Sequence, residues 1–238
     1  MRQPSISELD LWSRLEARLL ALIALALDIL QQRSSRIPLD EILINRELRL
    51  CMDEANCRLC EYGQGLDHLP MLDCKVQPSM EDEDCVPEKD KIPDFQWDIY
   101  DNSASPEQRS KQYHIECKRL GLPSSRSWVL NTEYVNAGIC RFIEDSHKYG
   151  KSCRSGAMVG YVQDMEPDAI LAEVNVACRK KGVAELALPE YGWQPSGTSR
   201  LDHQFRRPFP ESPFDLRHLW IDLRRHYASE EDRTATQV

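Results

Sequence analysis

The chain has 238 residues, of which 41% are hydrophobic, so it can bury a substantial core as one large domain or one domain with an appendage. Its formal net charge of −9 arises in residues 1–100, and the remainder is balanced. Because proteins that coat nucleic acid non-specifically present net positive charge, we expect the chain alone to bind DNA weakly. We expect a partner or an activating signal to raise its affinity for DNA.

Cysteine usage and hydropathy predict a cytoplasmic protein. The nine cysteines have scattered spacings and no secretory signal precedes them, which predicts reduced thiols. The longest apolar run, Leu19 to Leu27, is far shorter than the ~20 residues needed to cross a bilayer. We therefore expect no membrane contact.

Two amphipathic helices are predicted in residues 1–60. The first ends near Gln32, and its apolar stripe is Trp12, Leu15, Leu19, Ile23, Ala26 and Leu30. Core packing is the expected role of this stripe, and binding a partner is the alternative. The second helix begins at Pro38 and Asp40, and its stripe is Ile44, Leu48, Cys51, Ala55 and Leu59. Glu47 falls on the same face, where a carboxylate is costly unless it has a partner.

Residues 61–91 lose the helical period and predict an irregular acidic connection. Four cysteines in and before this segment raise the alternative of a zinc site: Cys57, Cys60, Cys74 and Cys85. Structural zinc usually takes two close cysteine pairs, whereas only Cys57 and Cys60 are close here. The sequence therefore leaves zinc binding open without favouring it.

Two short strands around a polar loop are predicted between Ile92 and Gly121. Apolar and polar residues alternate in both, which predicts one apolar and one polar face for each strand. The polar faces carry Asp94 on the first strand and Glu116 and Lys118 on the second, because residues two apart on a strand point the same way. If the strands pair, two carboxylates and one ammonium converge. The alternative is that Glu116 and Lys118 are the solvent-facing side of a half-buried strand.

This group of side chains suits phosphodiester hydrolysis. Two carboxylates can hold Mg²⁺, with Mn²⁺ as a substitute, and leave water and a substrate phosphate to complete the metal's octahedron. The metal would lower the pKa of a bound water and stabilise the charge that grows on the phosphate. A lysine whose pKa shifts readily could orient or deprotonate that water.

The second half of the chain predicts alternating helices and strands. A helical period runs from Trp128 to Gly150, residues 157–162 predict a buried strand, and Pro167 to Lys181 predict a helix. Residues 191–207 are predicted to form a loop, and residues 218–223 a final strand. His203 and His218 lack sequence partners that would predict a catalytic triad.

Five basic residues near the predicted strands are candidates for phosphate contacts: Arg119, Arg141, Lys148, Lys151 and Arg154. Such contacts would position a duplex without reading its sequence, and ordinary surface charge is the alternative. No helix-turn-helix or zinc finger is evident, so we expect low sequence specificity from this chain.

Pro93-Asp94 followed by Glu116-Cys117-Lys118 resembles the PD-(D/E)xK nuclease superfamily, which includes many restriction endonucleases and repair nucleases. The segments EYVNAGICRFIEDSHKYG, GAMVGYV and HLWIDL resemble a bacterial subset of that superfamily that is often associated with anti-phage defence. The resemblance covers roughly residues 94–223.

The resemblance implies an α/β fold with a restriction-endonuclease-like core, in which helices flank a central mixed β-sheet and an N-terminal helical segment precedes it. It implies Asp94 and Glu116 as metal ligands and Lys118 as the catalytic lysine. In the superfamily an acidic residue from the helix before the catalytic strands often joins the metal site; Glu47 is the candidate for that role, and Glu54 is the reserve.

The function that the resemblance implies is a metal-dependent DNA endonuclease, the nuclease effector subunit of a bacterial anti-phage defence system. A protein partner would supply target recognition or activation, and a homodimer would supply the two active sites that cleavage of both strands requires. A non-catalytic scaffold or binding subunit with a nuclease fold, and a nuclease acting on RNA, remain alternatives. The expected organisation is N-terminal helices in 1–60, the acidic connection in 61–91, the nuclease core in 92–226 and a disordered tail in 227–238.

Overall fold

The computed structural model describes residues 6–76, 92–100, 110–144, 147–194, 197–208 and 212–227. The helices are α1 (Ile6–Gln32), α2 (Glu41–Cys60), α3 (Leu130–Asn136), α4 (Pro167–Lys181) and α5 (Arg224–Tyr227), with a 3-10 helix over Ile139–Phe142. The strands are β1 (Met71–Leu72), β2 (Phe95–Tyr100), β3 (Ser110–Leu120), β4 (Ser155–Val162), β5 (Thr198–Leu201), β6 (Gln204–Phe205) and β7 (Phe214–Asp222). The fold is α/β, as predicted.

All seven strands join one open mixed sheet in the order β1-β2-β3-β4-β7-β5, with β6 also pairing with β7. β2 runs antiparallel to β1 and β3, whereas β3, β4 and β7 are parallel to one another. β5 and β6 return antiparallel to β7. The central strand β4 is buried along its whole length, which explains why its sequence is continuously apolar rather than alternating.

Helices cover both faces of the sheet. α1 and α2 pack on one face, where the predicted stripe residues Leu19, Ile23, Ala26 and Leu30 are fully buried against the sheet. α3, the 3-10 helix and α4 pack on the other face. The prediction of core packing for the stripe of α1 is therefore confirmed. Within the described ranges, no helix has a stretch long and apolar enough to cross a membrane.

The starts and ends of α2 and α4 follow from local chemistry. The Asp40 side chain accepts a hydrogen bond from the backbone N–H of Leu43 and caps α2. α4 begins with Pro167 at its first turn and ends at Gly182, whose left-handed φ of 68° suits glycine. Both helices match their sequence predictions closely.

The helix predicted from Trp128 to Gly150 is wrong as a continuous element. α3 ends at Asn136 and the 3-10 helix begins after Gly138. The chain passes so close to its neighbours at Gly138 that a Cβ there would lie 2.4 Å from the Tyr134 carbonyl oxygen and 2.5 Å from Met158. The apolar period continued through this break because both halves pack on the same face of the sheet.

Two segments predicted to be irregular contain short strands. β1 lies in the predicted acidic connection and pairs with β2, and β5 and β6 lie in the predicted loop 191–207. These strands are two to four residues long, too short for an alternating pattern to be read from the sequence. The predicted tail beyond residue 227 lies outside the described residues.

Two buried histidines belong to a hydrogen-bonded chain inside the core. Trp220 Nε1 donates to Tyr134 Oη at 2.9 Å, and Tyr134 Oη lies 2.7 Å from His218 Nδ1. His218 Nε2 lies 3.1 Å from His203 Nδ1, and His203 Nε2 lies 2.8 Å from the Ala184 carbonyl oxygen. One arrangement of protons satisfies every contact, with each group donating toward Ala184 and both imidazoles neutral. These histidines therefore have a structural role.

We expect acid to destabilise the fold through this chain. Burial lowers the pKa of His203 from 6.5 to about 4, and burial lowers the pKa of His218 as well. In the pH range between the two pKa values, the histidines are protonated in the unfolded chain but not in the folded chain. The free energy of unfolding therefore falls as pH drops below 6.5, by about 1.4 kcal/mol per pH unit for each histidine. Urea unfolding of His203→Gln should show a shallower loss between neutral pH and pH ~4.5 than the wild type. The matched control is His68→Gln, which removes an exposed histidine; a His203→Gln slope equal to that of the wild type would contradict this account.

Candidate active site

The candidate site lies beside the C-terminal part of β3, next to the residues that immediately precede β2. β2 pairs with β3 only from Phe95 onward, so no strand of the described residues pairs with residues 116–120 of β3 on that side. Two carboxylates take its place: Asp94 Oδ2 accepts from the Cys117 N–H at 2.7 Å, and Glu41 Oε2 accepts from the Arg119 N–H at 3.2 Å. Because backbone N–H groups at a buried edge need acceptors, the edge of β3 holds acidic side chains at this point.

Asp94 is held in place from two other elements. Its Oδ1 accepts from Asn45 Nδ2 of α2 at 3.0 Å. Asn45 Oδ1 in turn accepts from the hydroxyl of Tyr161 in β4 at 2.8 Å. Asn45 and Tyr161 are buried, so a fully packed set of hydrogen bonds orients the Asp94 carboxylate.

Lys118 stands at the centre of the acidic group. Its Nζ lies 2.9 Å from Glu116 Oε1, 2.9 Å from Glu41 Oε1 and 3.5 Å from Asp94 Oδ2. It also donates to the Cys117 carbonyl oxygen at 2.7 Å. Burial by itself would lower the pKa of Lys118, but Glu116, Asp94 and Glu41 outweigh burial and raise it. Lys118 is therefore a cation at neutral pH.

Glu116 is fully buried, and its pKa is raised. Its Oε1 accepts from Lys118 and from Arg141, while its Oε2 has no hydrogen-bond partner among the described residues. Burial, and to a smaller extent the Asp94 carboxylate, raise the pKa of Glu116 to about 8 against the opposing effect of Lys118 and Arg141. The alternative in which Glu116 and Lys118 face solvent is wrong, since their side chains are 0% and 11% exposed.

A wall of aromatic and basic side chains closes the site on the α3 side. Arg141, from the 3-10 helix, donates to Glu116 and stands 5.9 Å from the centre of the Tyr149 ring. The Tyr149 ring packs edge-on against His114 with centroids 5.0 Å apart, and His114 Nδ1 accepts from the Gly150 N–H at 2.9 Å. Burial lowers the pKa of His114 to about 3, so this imidazole is neutral.

The structure brings together four of the residues singled out from the sequence, Asp94, Glu116, Lys118 and Arg141. It does not bring Glu47 to them: Glu47 forms an ion pair with Arg33. The reserve residue, Glu54, forms an ion pair with Arg58 on the outer side of α2.

Glu41 is the carboxylate of α2 that reaches the site, and sequence reasoning missed it. It stands six positions before Glu47, which places the two about 120° apart around the helix. An acidic residue directly after the Asp40 cap is what the helix dipole favours at any helix start. The only signal that could have singled it out is that Glu41 and Asn45 are one helical turn apart and so share a face.

The other candidate basic residues lie in β3 and in the segment before β4. Arg119 Nη1 donates to the Leu39 carbonyl oxygen at 3.0 Å, which ties β3 to the start of α2. Lys148, Lys151 and Arg154 lie half-buried in the segment between the 3-10 helix and β4. Arg141 is the one whose guanidinium is shown bonded to the acidic group.

The residues present fit a divalent cation such as Mg²⁺. An oxygen of Asp94 and an oxygen of Glu116 lie close to the same ammonium, and Glu116 Oε2 is a buried oxygen without a hydrogen-bond partner among the described residues. Carboxylate oxygens are the donors that Mg²⁺ prefers, and it usually takes only one or two of them from a protein. No cluster of three or more His, Cys, Asp or Glu suited to a metal occurs in the part of the chain that the structure describes.

A zinc site at the cysteines receives no support from the described residues. Cys57 and Cys60 are exposed near the end of α2, and Cys74 is a free thiol beyond β1. Cys85 lies outside the described residues. No metal-binding cluster is found among those that are described.

No protein-family model, curated protein or solved structure matches the chain.

Proposed function

We propose that this chain is a metal-dependent DNA endonuclease with a restriction-endonuclease-like core, acting as the nuclease subunit of a bacterial anti-phage defence system. The observation that carries the proposal is the convergence of Asp94, Glu116 and Lys118 at the unpaired edge of β3. The role in defence rests on sequence resemblance alone. The cytoplasmic location rests on cysteine usage and hydropathy, and a partner protein that supplies target recognition or activation rests on the acidic net charge and the resemblance.

The protonated state of Lys118 decides its role in the reaction. Lys118 keeps its proton between Glu41, Asp94 and Glu116, so it acts as a cation that stabilises charge on the scissile phosphate or orients the attacking water. Asp94 and Glu116 would hold Mg²⁺ or Mn²⁺. When bound, the metal supplies a bound water of lowered pKa and neutralises charge on the phosphate.

Arg141 is placed to serve the substrate. In the structure its guanidinium donates to Glu116, and a phosphate that enters the site offers two oxygens that a guanidinium can bind in a bidentate manner. Lys148, Lys151 and Arg154 would contact phosphates further along the duplex without reading its sequence.

A non-catalytic binding subunit is the second candidate, and one observation favours it. Glu116 is fully buried and both of its cationic neighbours already engage it, as in a purely structural ion network. A subunit of this kind would keep the charge cluster for its packing and would neither bind metal nor hydrolyse nucleic acid.

The test is hydrolysis by the purified chain. Supercoiled plasmid, single-stranded DNA and RNA are incubated side by side with Mg²⁺, with Mn²⁺ and with EDTA. We expect metal-dependent nicking of plasmid at many positions, and loss of nicking in Asp94→Asn. Cleavage of RNA alone would replace DNA as the substrate, and a single discrete cut in the plasmid would contradict low specificity.

A second measurement decides between the two candidates if hydrolysis is absent. Mn²⁺ should raise the thermal unfolding midpoint of the wild type, because a ligand that binds only the folded state stabilises it. The rise should disappear in Asp94→Asn and persist in Glu47→Gln. Absence of both hydrolysis and a metal-dependent shift would favour the binding subunit.

Glu41→Gln should impair hydrolysis, whereas Glu47→Gln should not. Glu41 fixes the ammonium of Lys118 and caps the Arg119 N–H, and loss of such a supporting group costs roughly 10–100-fold in activity. Glu47 pairs with Arg33 instead. Initial rates of plasmid nicking for both variants measure the difference. Equal losses would mean that Glu41 has no special relation to Lys118.

A further inference from the structure

An exposed loop leaves the site directly after β3. Residues 122–128 are all exposed, and the loop joins β3 to α3 on the face of the sheet that bears Glu116 and Lys118. A hydrogen bond joins the two ends of the loop: the Gly121 N–H donates to Asn131 Oδ1 at 3.0 Å. Asp164 Oδ1 accepts from the Leu122 N–H at 2.6 Å and braces the loop from the turn after β4.

The tip of this loop is ordered by its own hydrogen bonds. The Ser124 N–H donates to the Trp128 carbonyl oxygen at 3.1 Å, and the Trp128 N–H donates to the Ser125 carbonyl oxygen at 3.2 Å. The hydroxyls of Ser125 and Ser127 lie 3.3 Å apart. A short turn held in this way presents its side chains at low conformational cost.

Trp128 is the large apolar side chain that this turn presents. It is 48% exposed, whereas Trp97 and Trp220 are buried and Trp12 and Trp193 are half-buried. Arg126 is exposed in the same turn, and no acidic residue occurs from Arg119 to Thr132. An exposed indole with an arginine two residues away combines a surface that can stack on bases with a cation that can hold phosphates, as single-strand-binding proteins do.

Trp128 lies within reach of a strand bound at the site. Gly121 follows Lys118 by three residues and Trp128 precedes Asn131 by three, so each arm spans at most about 10 Å. Because a hydrogen bond joins Gly121 to Asn131, the two arms limit the separation of the Lys118 and Trp128 Cα atoms to about 25 Å, a length that a bound strand of several nucleotides can span.

We propose that Trp128 stacks on an unpaired nucleobase of the strand whose phosphate enters the site. This rests on the proposed nuclease function and narrows its substrate class to single-stranded or locally unpaired nucleic acid. Arg126 contacts a neighbouring phosphate, and the stacking tolerates any base because every base has a π face.

The test is binding in EDTA, where no hydrolysis occurs. A short oligothymidylate and an abasic deoxyribose-phosphate oligomer of equal length and charge are compared by anisotropy, with tryptophan fluorescence as a second readout. We expect Trp128→Ala to bind the oligothymidylate on the order of tenfold more weakly, Trp128→Phe to retain most of the affinity, and neither to change binding of the abasic oligomer. Quenching of wild-type fluorescence by the oligothymidylate should be largely lost in Trp128→Phe. Tyr191→Ala, which removes an aromatic that is 61% exposed elsewhere, should behave as wild type.

Further measurements distinguish DNA from RNA as the source of the base, and distinguish the nuclease proposal from the stacking proposal. Single-stranded RNA and blunt duplex DNA are titrated in parallel. An equal loss of affinity for duplex and for single strand in Trp128→Ala would overturn the proposal. Equal affinity of the wild type and Trp128→Ala for oligothymidylate, or no binding by either protein, would also overturn it. Metal-dependent nicking with no effect at Trp128 would leave the nuclease proposal standing and remove this one. Trp128-dependent binding without hydrolysis would do the reverse.

Discussion

Glu116→Gln is expected to abolish metal-dependent hydrolysis, with a loss of roughly 100-fold or more. The amide keeps the shape of the side chain but cannot lose a proton to become the anionic ligand that a divalent cation needs. Mutation of groups that merely support a metal ligand already costs 10–100-fold, so loss of a ligand should cost at least as much. Plasmid nicking at saturating Mn²⁺ measures the effect, and full activity of Glu116→Gln would remove Glu116 from the reaction.

The same substitution should change how stability depends on pH. The pKa of Glu116 is raised from 4.5 to about 8 in the folded chain. The folded state therefore holds a proton that the unfolded state has lost, and stability falls as pH rises through this interval by about 1.4 kcal/mol per unit. From pH 6.5 to pH 8 the buried histidines contribute equally to the wild type and to Glu116→Gln, so the difference between the slopes of the two proteins reports Glu116.

Urea unfolding across that range should show a steeper loss for the wild type than for Glu116→Gln. Glu47→Gln serves as the matched control, because Glu47 is more exposed and paired elsewhere. Equal slopes for the wild type and Glu116→Gln would mean that Lys118 and Arg141 keep Glu116 ionised in the folded chain.

Arg207→Met is expected to cause the largest loss of stability, about 3–5 kcal/mol. The Arg207 guanidinium is buried and lies 3.7 Å from the centre of the Phe214 ring. Its two terminal nitrogens donate to four carbonyl oxygens between β4 and the 3-10 helix: those of Phe142, Tyr149, Gly150 and Cys153. Methionine fills similar space but removes the guanidinium from all four acceptors, of which the Gly150 carbonyl oxygen still accepts from the Cys153 N–H.

Thermal unfolding should show this loss as a midpoint lowered by roughly 10 °C. The exposed neighbour Arg206 provides the matched control, and Arg206→Met should change the midpoint little. Arg207→Lys should recover only part of the loss, because one ammonium cannot reach acceptors that a planar guanidinium spans. A midpoint for Arg207→Met close to that of the wild type would show that water replaces the guanidinium without cost.

The Arg207 contacts also bear on the candidate site. They hold the segment that carries Tyr149 and follows Arg141, so their loss should loosen the cover over Glu116. Nothing in the sequence links Arg207 to that segment, because the two are more than fifty residues apart and their contacts run through backbone carbonyls.

Strand and helix patterns predicted the frame of the molecule well. α4 and β4 follow from an apolar period bounded by Pro167, Gly182 and short turns, and the pairing of β2 with β3 follows from alternation. These features depend on residues close together in the chain. The break at Gly138 was missed because it depends on the approach of Met158 from a different element.

The amino-acid sequence by itself determined that Glu116 and Lys118 share a face of one strand, since the two-residue period of a strand is local. It also placed Asp94 at the start of the neighbouring strand. Only the tertiary structure decided that Glu41 rather than Glu47 joins them, because this depends on the rotation of α2 against the sheet edge. It also decided that Glu116 is buried and Lys118 remains charged. Burial and the positions of opposite charges are properties of the packed chain, and they set proton affinities that no local pattern contains.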